Sequence, residues 1–265
     1  MKKIIQIIVG LAGLSLVILV HEFGHFVACK AFGVGTPIFS IGFGPALLQH
    51  KIGQTVFQIA ALPLGGYVAL SPTDLAAQPY LHQLIIMLAG IAFNFLFAFI
   101  VFALLSHKRD QTPNSTDSIL EDSPAKNTRK IHGHIKEAFH SGLRGMKEST
   151  QNIQQTLKNL FQEEGNSSGI VGPIGIIAIA GKSLSYGPSF FFLILAILSL
   201  NIGFFNLLPI PFFDGGQIVG LTFTALFGPI PAALSSAISR FFLIMLILLM
   251  LFLTFRDAHQ LRRRK

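Results

Sequence analysis

The chain has a single cysteine, Cys29, so it can build neither an intramolecular disulfide framework nor a Cys-rich zinc site. Any metal centre must draw on His and carboxylate. Charge is also scarce. Asp, Glu, Lys and Arg make up 12% of the sequence, against roughly 25% in soluble domains. With 51% hydrophobic residues and a mean hydropathy of +0.62, this composition excludes an ordinary soluble domain and predicts a polytopic membrane protein. There is no sign of an internal repeat. A clear signal-peptide cleavage pattern is also missing. Met1-Lys2-Lys3 gives a short basic start, and the first apolar run reads as an uncleaved span. The net charge of +8 is not a nucleic-acid signal. The basic residues gather in 106–160 and 256–265, beside apolar runs, where they suit anionic lipid headgroups.

What is present is most telling at the end of the first apolar run: His21-Glu22-Phe23-Gly24-His25. Two imidazoles four residues apart lie on one helix face and can share one ion. Glu22 lies about 100° round the helix from His21 and about 60° from His25. That is poor for a third ligand and suitable for a general base acting on water at a metal. Ionisable groups are costly in a span and are seldom kept there without a function. The bland alternative is a helix end whose His and Glu sit among headgroups. Cys29 follows His25 by four on the same face. It is placed to be a ligand, but it reads better as a small buried residue.

Four spans stand out, at 4–29, 81–105, 189–208 and 241–255, the last extended by 232–238. The expected fold is a polytopic α-helical membrane protein of about four transmembrane helices. A small membrane-associated β-structure lies between the first two. Segments 39–43 and 54–59 alternate as strands do, with turns at Gly44-Pro45 and Gly65-Gly66. The chain divides into an N-terminal membrane half (1–105), a polar linker (106–133), an amphipathic helix (134–162) and a C-terminal membrane half (163–265). Within the last, 168–184 reads as a re-entrant or interfacial helix.

From 165 to 255 the only acidic residue is Asp214. It sits in Asn206-Leu207-Leu208-Pro209-Ile210-Pro211-Phe212-Phe213-Asp214-Gly215-Gly216, where prolines and glycines break any helix. Broken backbone at membrane depth needs protein or a cavity to shield it. Catalytic zinc takes three protein ligands, so Asp214 is the candidate third one. The competing reading is an Asp capping a helix that starts near Gly216.

Four motifs in this order, His21 to His25, Ala61-Leu62-Pro63-Leu64-Gly65-Gly66-Tyr67-Val68, Gly172-Pro173-Ile174-Gly175 and Asn206 to Gly216, resemble the site-2 protease family of intramembrane zinc metalloproteases. The likeness is to its bacterial RseP-type members, and it covers nearly the whole chain except about 106–132. It implies Zn2+ held by His21, His25 and Asp214, with Glu22 as general base. It also implies that Asn201 and Asn206 hold the substrate backbone and that 33–70 is a membrane-reentrant β-structure. The implied substrate is a transmembrane segment, with a lipid bilayer as the other partner and a bacterial inner membrane as the location. The implied process is regulated intramembrane proteolysis, of anti-sigma factors or signal-peptide remnants.

Two departures from the family pattern stand out. The usual PDZ domains are missing between the second and third core spans. The usual Gly-Pro of the second core span is Gly90-Ile91 here, ahead of Ala92-Phe93-Asn94. That change is expected to straighten the span and leave the metal untouched.

The mechanism expected from these parts has the 54–59 strand pairing with an unwound substrate by strand addition. A zinc-binding membrane protein without catalysis, or a transporter, is the rival reading. Broken helices also occur in transporters, but a general base beside paired His has no role there. With four spans, most of the 20 Lys and Arg lie on the side that holds both termini. The positive-inside rule would place that side in the cytoplasm. The family resemblance implies the reverse.

Overall fold

The structure, a computed structural model, describes residues 2–110, 143–144, 147 and 173–263. In chain order the elements are α1 (Lys2–Ala31), β1 (Ile38–Ile52), β2 (Thr55–Ala69), α2 (Pro72–Ala76), α3 (Tyr80–Asp110), α4 (Pro173–Ser183), α5 (Pro188–Asn206), α6 (Asp214–Phe227) and α7 (Ala232–Arg263). A short 3-10 turn, Leu184–Tyr186, follows α4. Most of the expected linker and of the 134–162 helix lies outside the described residues. Residues 106–110, expected to open the linker, continue α3 instead.

Four helical stretches are long and apolar enough to cross a membrane: Ile4–Ala31, Tyr80–Leu105, Pro188–Asn206 and Ala232–Phe255. The expected spans and the intervening β-structure are therefore observed. Such stretches can cross lipid because an α-helix satisfies its own backbone groups.

Helix α1 is the hub, packing on α3, α4, α5 and the sheet. Lipid tails are as apolar as leucine, so close van der Waals fit has to hold the helices together. Small residues permit it. A Cβ at Gly10 of α1 would collide with the Ile177 carbonyl of α4. One at Gly181 of α4 would collide with the Gln6 carbonyl of α1. The α3–α5 seam is closed by Ala98, Val101 and Phe102 against Ala196 and Leu200. A second cluster, Ala28, Cys29, Val34, Ile86 and Met87, closes the far end of α1. Helix α4 is too short to span at 11 residues and lies against α1, in the region where a re-entrant or interfacial helix is expected.

The sheet has two long antiparallel strands, β1 and β2, joined at Gly53-Gln54. Both are irregular and fold back on themselves. Residues 48–52 face 55–59, while 38–41 lie between 56–59 on one side and 66–69 on the other. Segment 55–59 is thus paired on both sides. It has no open edge for another strand, which corrects the expectation that 54–59 receives the substrate. The outer edges are 46–52 and 66–69. Phe39 and Phe57 pack edge-to-face on Phe26 of α1, with ring centroids 5.4 and 5.7 Å away, and lay the sheet along the helix.

Candidate metal centre

The two imidazoles come from α1, one turn apart, and the carboxylate arrives from the first residue of α6. His21 Nε2 lies 3.2 Å from His25 Nε2. Asp214 Oδ2 lies 3.1 Å from the first nitrogen and 3.4 Å from the second. All three residues are 6% exposed. Among the described residues they form the group of His, Cys, Asp or Glu side chains that could share an ion.

The donor set fits zinc. Tetrahedral zinc with bonds of about 2.0–2.1 Å spaces its ligand atoms about 3.3–3.4 Å apart, close to the three edges observed. Asp214 Oδ2 is also buried without a hydrogen bond that satisfies it. An orphaned carboxylate oxygen costs on the order of 1–3 kcal/mol or more, and a cation removes that cost.

Asp214 is not a helix cap. The N-cap position belongs to Phe213, Asp214 opens the helix itself, and no capping hydrogen bond forms there. Its carboxylate turns to the imidazoles instead. Cys29 is fully buried in the apolar cluster at the end of α1 and is not part of the ligand group.

Glu22 is not part of the ligand group either. It is half-buried, and its Oε2 accepts a hydrogen bond from the Val68 backbone N–H at 3.0 Å. Val68 belongs to the outer 66–69 edge, so the sheet fixes the carboxylate's position. Two turns earlier, Ser15 Oγ donates to the Pro63 carbonyl at 2.8 Å and accepts from Gly65 N–H at 3.1 Å. Ser15 and Glu22 together pin 63–68 along α1.

Helix α3 shapes the other wall. A Cβ at Gly90 would collide with His25 Nε2, and one at Gly24 would collide with the Ala89 carbonyl. His25 Nδ1 donates to the Ile86 carbonyl at 2.8 Å, and the Asn94 side chain lies 3.2 Å from His21 Nδ1. Through Gly90 and Asn94 this segment meets both imidazoles. The reason is that Gly90 lets α3 approach α1 at that level. Asn94 was not foreseen in this role. The signal was there, because Asn94 is the lone polar side chain in the middle of an otherwise apolar span.

The two predicted substrate-binding asparagines lie on α5. Asn206 Nδ2 donates to Ile202 O of its own helix at 3.0 Å. Asn201 is half-buried on α5 and, five residues earlier, lies about 140° round the helix from Asn206.

Comparison with known proteins agrees with this geometry. A Clostridium perfringens protein named "Putative zinc metalloprotease" is 26% identical over 327 aligned positions, covering 95% of this chain and 98% of the relative. Proteins named alike from Synechocystis sp. and Campylobacter jejuni are 24% and 26% identical, over 97% and 94% of this chain and 95% and 92% of their own lengths. The sequence profile of Peptidase family M50 matches residues 9–250. The chain belongs to peptidase family M50, the site-2 protease family, and is a zinc metalloprotease of multi-pass membrane architecture.

Proposed function

We propose that the protein cuts transmembrane segments of other membrane proteins, using one zinc ion held by His21, His25 and Asp214 and using Glu22 as general base. The observation that carries this reading is the ligand triangle itself, built where a membrane-spanning helix meets a broken one. Held by these three side chains, a zinc ion would supply Lewis acidity to a water and to the substrate carbonyl. Glu22 would take a proton from the attacking water and return it to the leaving amine. Val68 N–H holds the Glu22 carboxylate for this role.

A helical substrate hides its carbonyls in its own hydrogen bonds and has to unwind before cleavage. An unwound segment adds as a strand to an outer edge of the sheet. Asn206 and Asn201 hold its carbonyls from α5, and the Asn206 amide leaves Ile202 O to do so. We place the protein in a bacterial inner membrane, acting in regulated intramembrane proteolysis on anti-sigma factors or signal-peptide remnants.

The test is cleavage of a model transmembrane segment reconstituted with the purified protein. Glu22→Gln is expected to retain zinc and lose cleavage by about 100- to 10,000-fold. Undiminished cleavage by that variant would remove Glu22 from the mechanism.

A further inference from the structure

We propose that Asn94, oriented by Ser199, is the positioning residue that fixes the tautomer of His21 and so presents its Nε2 lone pair to the metal. The proposal rests on the zinc reading above.

The two imidazoles are oriented by unlike partners. His25 Nδ1 faces the Ile86 carbonyl. A carbonyl only accepts, so the ring proton sits on Nδ1 and Nε2 is left as a lone pair. His21 Nδ1 faces a side-chain amide, which can present either its NH2 or its oxygen. Turned one way, the NH2 of Asn94 donates to Nδ1. The proton of a neutral ring then lies on Nε2, and that nitrogen cannot ligate. Turned the other way, the Asn94 oxygen accepts from Nδ1–H and Nε2 is free to bind.

Ser199 decides between them. Its Oγ lies 3.0 Å from the Asn94 main-chain carbonyl and 3.2 Å from the amide atom placed as Oδ1, with Nδ2 placed toward His21, and a half-turn of the amide exchanges the two. A hydroxyl has one proton to give. The main-chain carbonyl, which can only accept, takes it. The other contact then needs a donor on Asn94, so the NH2 turns to Ser199 and the oxygen to His21. This is the one arrangement in which all three contacts pair a donor with an acceptor.

Asn94 and Ser199 are both fully buried, in a seam otherwise closed by Ala98, Ala196 and Leu200. Apolar residues would fill that seam equally well. A polar pair there has a reason only if something polar needs it, and His21 is the group it reaches. Partners of this kind behind a metal-bound His typically contribute 10–100-fold in metal affinity.

The test uses the full chain in detergent, loaded with zinc and titrated with a chelator. The wild type is compared with Asn94→Leu, Asn94→Asp, Ser199→Ala and the Asn94→Asp/Ser199→Ala pair. Asn94→Leu is expected to weaken zinc binding by about 10–100-fold. Asn94→Asp should bind near the wild-type level, because a carboxylate accepts through either oxygen and needs no orienting. For the same reason Ser199→Ala should weaken binding in the wild type and add nothing in the Asn94→Asp background. That last comparison separates orientation from packing, and it carries the proposal if Asn94→Leu does not fold. Wild-type zinc affinity in Asn94→Leu, or an equal loss from Ser199→Ala in both backgrounds, overturns it. Wild-type protein that takes up no zinc overturns the metal reading itself and the proposal with it.

Discussion

A methyl group at position 90 has nowhere to go. It would overlap His25 Nε2 and stand 2.8 Å from His21 Cε1, so either the imidazoles or α3 must shift. Gly90→Ala is therefore expected to lower the zinc content of the purified protein sharply while circular dichroism stays that of the wild type. Unchanged zinc would mean that α3 does not hold the imidazoles in place. At this scale much could be read from the sequence. The i, i+4 histidines announce a shared ion, and the isolation of Asp214 in a long apolar region singles it out as the missing ligand. Asn94 could not be assigned a partner, because its contact with His21 spans 73 positions and depends on how α3 packs on α1. A lone asparagine in a span signals a role but does not name one.

Among the elements, the sheet departs furthest from the sequence reading. Alternation in 39–43 and 54–59 correctly marks strand, yet it says nothing of which neighbours each segment takes. The fold-back that encloses 55–59 comes from bulges and from the docking of 63–68 onto α1, neither of which leaves a periodic trace. Ser15 is central to that docking, since it satisfies both the Pro63 carbonyl and the Gly65 N–H. Ser15→Ala strands both groups and is expected to cost on the order of 1–3 kcal/mol. Because Val68 N–H positions Glu22, the same change should lower cleavage more than it lowers zinc content. Thermal unfolding, metal analysis and cleavage of a reconstituted span measure the three effects. Equal loss of zinc and cleavage would show that the clamp supports the metal ligands, not the base.

For the whole molecule, the hydropathy of the chain sets the four spans, and helix geometry makes them viable in lipid. Of the most apolar 18 residues in the Ala232–Phe255 stretch of α7 only 6% are buried, so among the described residues little covers that apolar surface. The alignment with the Clostridium perfringens relative runs over 327 positions against 265 residues here. That relative thus carries residues with no counterpart in this chain. Orientation divides the two arguments made from sequence. If the family resemblance governs, a cysteine introduced next to Lys265 is labelled by an impermeant reagent in intact cells. If charge bias governs, it is protected. The central claim, that His21, His25 and Asp214 hold a catalytic zinc ion at membrane depth, is tested most directly by elemental analysis of the purified protein beside its His21→Ala, Asp214→Asn and Glu22→Gln variants. The account predicts about one zinc per chain in the wild type and in Glu22→Gln, with most of it lost from the other two. A wild type without zinc, or an Asp214→Asn variant that binds it as tightly as the wild type, would contradict it.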